Sequence, residues 1–334
     1  MLGPGNIEGT FERADCPLCR SAERRVVIAG CEDRLLGHPG RFDICECDRC
    51  GVRFLDPRPL GQTLVGYYGD NGDRTYSDNQ PHRPKEWPEA VRWVLHLDRG
   101  YPTPAGGRPA ESDLTAARRR LERDNERWRL LPWRGSGRLL DVGCGSGTYL
   151  AAMRTLGWSP QGNNLVPEVC TEIRARLGIE CHAGDLLELE LPPASFDAIS
   201  LWHVLEHLPD PPATLRRIRE LLAPGGLVAI GVPVFDSPEA ERLGDAWFGY
   251  DVPRHLLTFS RERLCSFLTE NGFRVERLAS EPRDRILKLS YARSDAPWWW
   301  KAIMANGRLR RAYARRLAET DRIGTVVVWA TPVG

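Results

Sequence analysis

From residue 136 to 235, short apolar runs alternate with stretches of helical period. GRLLDV (137–142) runs straight into glycines and reads as a buried strand. A helical segment at 148–156 follows, then a short strand around 158–163. The next helix opens at Pro167, which suits a first helical position because it has no N–H to satisfy. Further strands are expected at 178–182, 196–202 and 226–232, with a helix at 212–223 that stops at Pro224-Gly225-Gly226. GFRVERLAS (272–280) and GTVVVWAT (324–331) complete a set of about seven strands. Strands alternating with helices predict an open, parallel α/β sheet with helices on both faces. The flanks differ. Residues 11–58 have few helical patterns, and 59–135 are rich in Tyr, Gly, Pro and Trp, ending in a charged helical stretch at 111–131. A basic and aromatic insertion occupies about 281–323.

The chain has 334 residues, enough to bury a large core without disulfide staples. Its 46 basic and 45 acidic residues nearly cancel, which argues against broad nucleic-acid binding. No apolar run is long enough to span a membrane, and the N-terminus lacks a signal-peptide pattern, so a cytoplasmic location is expected. Disulfides are not expected there, yet six of the ten cysteines lie before residue 51. CPLC (16–19) and CDRC (47–50) are two CxxC pairs. Each pair can place two thiolates on one tetrahedral metal, so Cys16, Cys19, Cys47 and Cys50 are the expected ligands of a closed, structural zinc site. Cys45 could substitute for Cys47, although the repeated CxxC spacing favours Cys47. Cys31 reads as a buried apolar residue, and four unliganded thiols are the alternative.

The densest motif is LLDVGCGSGTYL (139–150): a strand ending at Asp141, a loop with Gly143, Gly145 and Gly147, and a helix from about Thr148. Residues without side chains let a ligand lie against the backbone at the carboxyl end of a strand, and N–H groups at a helix start favour an anion. A dinucleotide fingerprint would be GxGxxG. Here the spacing is GxGxG behind an acid, which suits a ligand with a cation near the loop and a carboxylate for the N–H groups. S-adenosylmethionine (SAM) has both.

With these residues the sequence resembles the class I SAM-dependent methyltransferases. The resemblance implies a Rossmann-like, seven-stranded α/β domain over 136–334, behind a zinc-binding module at 11–58 and a helical cap and linker at 59–135. It places Asp185 of the GD at 184–185 against the adenine amino group. FDAISLWHVLEHLPDP (196–211) and LLAPGGLVAIGVP (221–233) are similar to the family's fourth strand with its loop and to its fifth strand. The family carries Asp or Glu after the second strand for the ribose hydroxyls, whereas QGNNLVPE (161–168) puts Asn164 there. An amide accepts one hydrogen bond but carries no charge. Weaker SAM binding, compensation by Glu168 or Asn163, or a non-catalytic SAM-binding scaffold are the expectations that follow. ICECDRCGVRFLDPRP, with YY and Tyr76 downstream, resembles the zinc module of a subgroup that includes deoxysugar C-methyltransferases.

HVLEH puts His203, Glu206 and His207 on the loop after the fourth strand, at the edge expected to face the transferring methyl. A hydroxyl or carbon-acid acceptor needs a base. His207 is the first choice, with Glu206 orienting it, and an adjacent Glu-His pair in the resembling sugar C-methyltransferases supports this. Related quinone O-methyltransferases place a metal here through Glu-x-x-Glu-His, where this chain has His203 in the first position. In DAWFGYDVPRHLLTFS (245–260), Tyr250, Arg254 and His255 are candidates for the acceptor pocket, with Trp247 and Phe248 as its wall. Arg254 could equally form a structural ion pair. WWWKAIMANGRLRRAYARRL (298–317) reads as a packed lid helix with a solvated arginine face, contact with membrane lipid being the less favoured alternative. The expectation is a zinc-containing SAM-dependent methyltransferase acting on carbon or oxygen of a small molecule: a nucleotide-linked sugar or another metabolite of natural product biosynthesis. The rival is an RNA methyltransferase gripping nucleic acid through its zinc module.

Overall fold

Each CxxC pair sits in a turn closed the same way. Arg20 N–H donates to Cys16 O, and Gly51 N–H donates to Cys47 O, both at 2.9 Å. The closing residues have φ of 60° and 71°; Gly51 adopts this left-handed backbone without penalty, and Arg20 is an uncommon non-glycine case. The computed structural model that shows these turns describes residues 11–13, 15–68, 87–123 and 129–333. Tyr76 lies outside the described residues.

The N-terminal strands are β1 (Phe11–Glu12), β2 (Arg24–Cys31), β3 (Phe42–Cys47), β4 (Arg53–Asp56) and β5 (Arg58–Pro59). β2, β3 and β4 form an antiparallel meander, and β1 pairs with β5. The meander's far edge is completed by a strand from much later in the chain, β11 (Leu257–Thr258), in the order β11-β4-β3-β2. This sheet is therefore not made from residues 11–58 alone. Helices α1 (Gly61–Gly66), α2 (Glu89–Arg99) and α3 (Glu111–Arg123) lead to the main sheet.

That sheet has seven strands: β6 (Arg138–Val142), β7 (Ser159–Asn164), β8 (Cys181–Ala183), β9 (Phe196–Trp202), β10 (Leu222–Pro233), β12 (Phe273–Ser280) and β13 (Thr325–Pro332), in the order β12-β13-β10-β9-β6-β7-β8. Phe196–Leu201 of β9 are all buried, which explains the unbroken apolar run there. α4 (Thr148–Thr155), α5 (Pro167–Leu177) and α6 (Pro211–Leu221) connect the parallel strands. Asp210 caps α6 by accepting from Ala213 N–H. Pro224-Gly225-Gly226 does not end the helix; it lies inside β10, where the pairing with β9 shifts register between Leu222 and Leu227.

The seven-stranded α/β sheet is as expected, and one strand departs from the parallel direction: β13 runs antiparallel to both β10 and β12. The chain leaves β12 at the carboxyl edge, passes through α9 (Asp284–Arg293), α10 (Trp298–Ala305) and α11 (Gly307–Glu319), and re-enters at the same edge. Glu281 N–H donates to Thr325 O at 2.9 Å, joining the end of β12 to the start of β13. With no crossover to the opposite edge, the returning strand has to run antiparallel. The remaining helices are α7 (Pro238–Leu243), capped by Ser237, and α8 (Arg261–Glu270), capped by Ser260.

Asp197, at the start of β9, staples the entry of β6. Its carboxylate accepts from Ser136 N–H at 3.0 Å and Arg138 N–H at 2.9 Å, and pairs with the Arg138 guanidinium at 2.8 Å. Burial opposes ionisation, but these donors outweigh it and hold the acid down at about 2. The folded value lies below the unfolded one, so this stabilisation is present above about pH 4 and fades as pH falls towards 2. Asp197→Asn is expected to lose about 2 kcal/mol at pH 7, with the gap to wild type narrowing by pH 3. Urea melts at both pH values check this.

Candidate active site

The glycine loop leaves β6 at the carboxyl edge. Asp141 is buried, and its register neighbour on β9, Ser200, donates to Oδ1 at 2.6 Å. Burial pushes the Asp141 acid up to about 7, against the opposing pull of Ser200 and the Arg129 charge. Gly143, Gly145 and Gly147 have φ of 65°, 50° and 74°. A Cβ on Gly143 would fall 2.5 Å from Val204 Cγ2, so the close approach of this loop to the one after β9 requires glycine. Gly147 begins α4 with no side-chain cap, leaving first-turn N–H groups for an anion.

Asn164 ends β7, and its Oδ1 accepts from Val166 N–H at 2.9 Å. Asn163 does not face the crevice as a substitute: its amide donates to His182 O and Gly184 O at 3.1 and 2.9 Å, tying β7 to β8. Glu168 is exposed in the first turn of α5. Asp185 is half-buried and accepts from Leu187 N–H at 2.9 Å.

After β9 the chain turns sharply at His203, which has φ of 60°, an uncommon conformation for a non-glycine residue that clusters at functional sites. Its ring lies between two buried carboxylates: Nδ1 is 3.3 Å from Glu206 Oε1, and Nε2 is 3.6 Å from Glu281 Oε2. Glu206 is fully buried, and neither of its oxygens has a hydrogen-bond partner among the described residues. Burial opposes its ionisation, but His203, His207 and His255 outweigh that and hold it down at about 2. Glu281 was not singled out by any motif, since one acid after a strand carries no pattern. It is reached by Arg129 Nε at 3.2 Å. Burial opposes its ionisation, but the charges of Arg129 and Arg283 outweigh that and hold the acid low.

His207 Nδ1 lies 2.9 Å from Arg254 O and 2.8 Å from Tyr68 Oη. A proton on Nδ1 shared with the carbonyl puts the ring's lone pair on Nε2. Burial, then the neighbouring His255, pushes the imidazole down to about 4, so it is neutral at pH 7. His255 packs edge-on at 4.6 Å between ring centroids, and its Nδ1 lies 2.7 Å from Gly249 O. Glu206, His207 and His255 bring one ligand-type atom each within 4.8 Å of one another. Tyr68 is the second tyrosine of the YY pair that follows the cysteine motif.

Two expected pocket residues, Arg254 and Tyr250, lie in the interior. Arg254 is fully buried; its guanidinium donates to Asp33 at 2.6 and 2.7 Å, to Asp251 at 2.8 and 3.1 Å, and to Tyr67 O at 3.1 Å. A charge taken out of water needs such partners, and they leave it binding the 249–256 segment to the cysteine module rather than facing a substrate. Tyr250 is also buried, with its hydroxyl accepting from Arg53 at 2.6 Å. Trp247 is core rather than wall.

The sulfurs of Cys16, Cys19, Cys47 and Cys50 lie within 4.8 Å of one another, with Cys16–Cys50 at 3.5 Å and Cys19–Cys47 at 3.6 Å. A tetrahedron with metal–sulfur bonds of about 2.3 Å has edges of about 3.8 Å, so this all-thiol set fits zinc. Cys45 is not part of the cluster.

A glycine loop behind a buried acid, on a seven-stranded sheet whose last strand is reversed, defines the class: the chain carries a class I SAM-dependent methyltransferase domain, and residues 115–278 match the family model described as a methyltransferase domain. Among curated relatives, the ubiquinone biosynthesis O-methyltransferase of Xanthomonas campestris pv. campestris is 37% identical over 95 residues, covering 27% of this chain and 40% of that one. The enzyme of the same name from Xanthomonas axonopodis pv. citri is 36% identical over 95 residues, with the same coverage. The chain thus spans 40% of the length of these relatives. Among solved structures, the Burkholderia thailandensis 1,6-didemethyltoxoflavin-N1-methyltransferase with bound S-adenosylhomocysteine is 18% identical at a TM-score of 0.46, covering 86% of this chain and 97% of that one.

Proposed function

We propose that the protein transfers a methyl group from SAM to a carbon or oxygen of a small metabolite, with His207 as the base. The observation that carries this reading is His207 itself: neutral, held through Nδ1 by a backbone carbonyl, and beside a buried carboxylate at the sheet edge where the glycine loop opens. When bound, SAM supplies an electrophilic methyl on sulfur. Asp141 would hold the donor's ammonium, the loop and α4 N–H groups its carboxylate, Asp185 the adenine amino group, and Asn164 would offer one acceptor to the ribose. His207 Nε2 would take the acceptor's proton as the acceptor bonds to the methyl and the methyl–sulfur bond breaks, leaving S-adenosylhomocysteine, and the Glu206 carboxylate would stabilise the imidazolium that forms. Zinc on the four cysteines is structural, because a closed four-thiolate shell leaves no position for substrate.

A nucleotide-linked sugar or other specialised metabolite is the favoured acceptor. O-methylation of an aromatic hydroxyl is the second reading, favoured by the 37% identity to ubiquinone biosynthesis O-methyltransferase. Calorimetry with S-adenosylhomocysteine, then transfer of labelled methyl to panels of nucleotide sugars and catechols, tests both. Absence of S-adenosylhomocysteine binding would remove the whole proposal.

Asp141 makes a pH prediction. A ligand cation favours its ionised form, whereas burial pushes the acid up to about 7. Affinity for S-adenosylhomocysteine should therefore rise about fivefold from pH 6 to pH 7. Asp141→Asn should bind weakly with no such slope. A pH-independent wild-type affinity would take Asp141 out of donor binding.

A further inference from the structure

We propose that the helical pair α10–α11 docks the protein on an anionic membrane surface. The inner face of the pair is already packed. Trp300 stacks edge-on against Tyr291 at 5.7 Å and Tyr313 at 5.5 Å, and Met304, Ala314 and Leu317 are buried. The outer face needs another explanation. Trp298 is 80% exposed, while Trp299 and Leu309 are each 51% exposed. A cavity of about 540 Å³ adjoins Trp299, so core packing does not close around that ring.

The charge points to the partner. Residues 298–318 hold six basic residues and no acidic one. Arg310 is engaged by Asp284 at 3.1 Å, whereas Arg308 and Arg311 are exposed with no ion-pair partner among the described residues. Exposed tryptophans beside arginines fit the boundary between headgroups and acyl chains, where an amphipathic ring and a cation are both satisfied. Nucleic acid fits less well. Trp298, Ala302 and Ala305 lie at i, i+4 and i+7 on one exposed face that offers bases only the indole N–H for hydrogen bonding. No helix among the described residues is long and apolar enough to cross a membrane, so the contact is peripheral. It does not depend on the methyltransferase reading.

The test is co-sedimentation of the full chain with vesicles of phosphatidylcholine alone and of phosphatidylcholine with about 30 mol% phosphatidylglycerol. Binding should be at least about fivefold greater on the anionic vesicles and weaken with salt. The double variant Trp298→Ser/Trp299→Ser, and separately Arg308→Ser/Arg311→Ser, should each lose most of that binding with an unchanged melting temperature. Equal binding to both vesicles, no binding, or binding untouched by either variant overturns the proposal. So does tighter binding to an RNA oligomer, or a dimer that Trp298→Ser abolishes.

Discussion

Cys47→Ser is expected to strip the metal from the cysteine module and lower the thermal midpoint by about 10 °C. Cys47 is 1% exposed, and Cys16 is completely buried, in the same hydrophobic core as Val52, Phe54 and the main-sheet residues Ile199 and Ile230. Four clustered thiols, two of them buried and two half-buried, satisfy one another poorly without a metal, whereas structural zinc contributes about 10–16 kcal/mol in isolated finger peptides. Packing against the main-sheet core holds the module together without the metal, which is why the expected loss is smaller. Elemental analysis should find about one zinc per wild-type chain and almost none in the variant, with scanning calorimetry reporting the midpoint. Cys45→Ser, outside the cluster, should keep its zinc. A wild-type protein purified without chelator and free of metal would mean that the four thiols are unliganded.

The second large effect is on turnover. His207→Ala should slow methyl transfer by about 10²–10⁴-fold once an acceptor is in hand, since that is the typical contribution of a positioned base. Affinity for S-adenosylhomocysteine should stay nearly unchanged, because donor binding is assigned to Asp141 and the glycine loop. The pH profile adds a separate signature. The imidazole is held down to about 4 by burial and by His255. It therefore stays neutral from pH 5 upward, and the acid limb of turnover should fall near pH 4 rather than near 6.5. Unchanged turnover in the variant would leave Glu206 or His203 to be tested as the base.

Much of this was readable from residue order. The strands β6, β9 and β13 fall within a residue or two of the apolar runs that predict them, because a strand buried on both faces is apolar nearly throughout. The four-cysteine cluster followed from spacing alone. What stayed hidden depends on distance along the chain. β11 has two residues and no period, and it acquires meaning only by pairing with β4, some 200 residues earlier. Strand direction is not encoded in hydrophobicity, so the reversal of β13 could not be seen. Glu281 reaches the site from the end of β12 and Tyr68 from just after α1, positions that only the folded chain brings to His203 and His207. Arg254 looked like a ligand contact because sequence does not reveal whether a charge has buried partners such as Asp33.

The strand that the later half of the chain lends to the N-terminal sheet bears on how this protein can be cut. A fragment trimmed to the limits of the family match would discard β2–β4 and Tyr68, so His207 would lose one of its two anchors and Arg254 its Asp33 counter-charge. The complementary fragment would expose the outer edge of β4 as bare N–H and C=O groups, a template for self-association. Neither half should be soluble and active by itself.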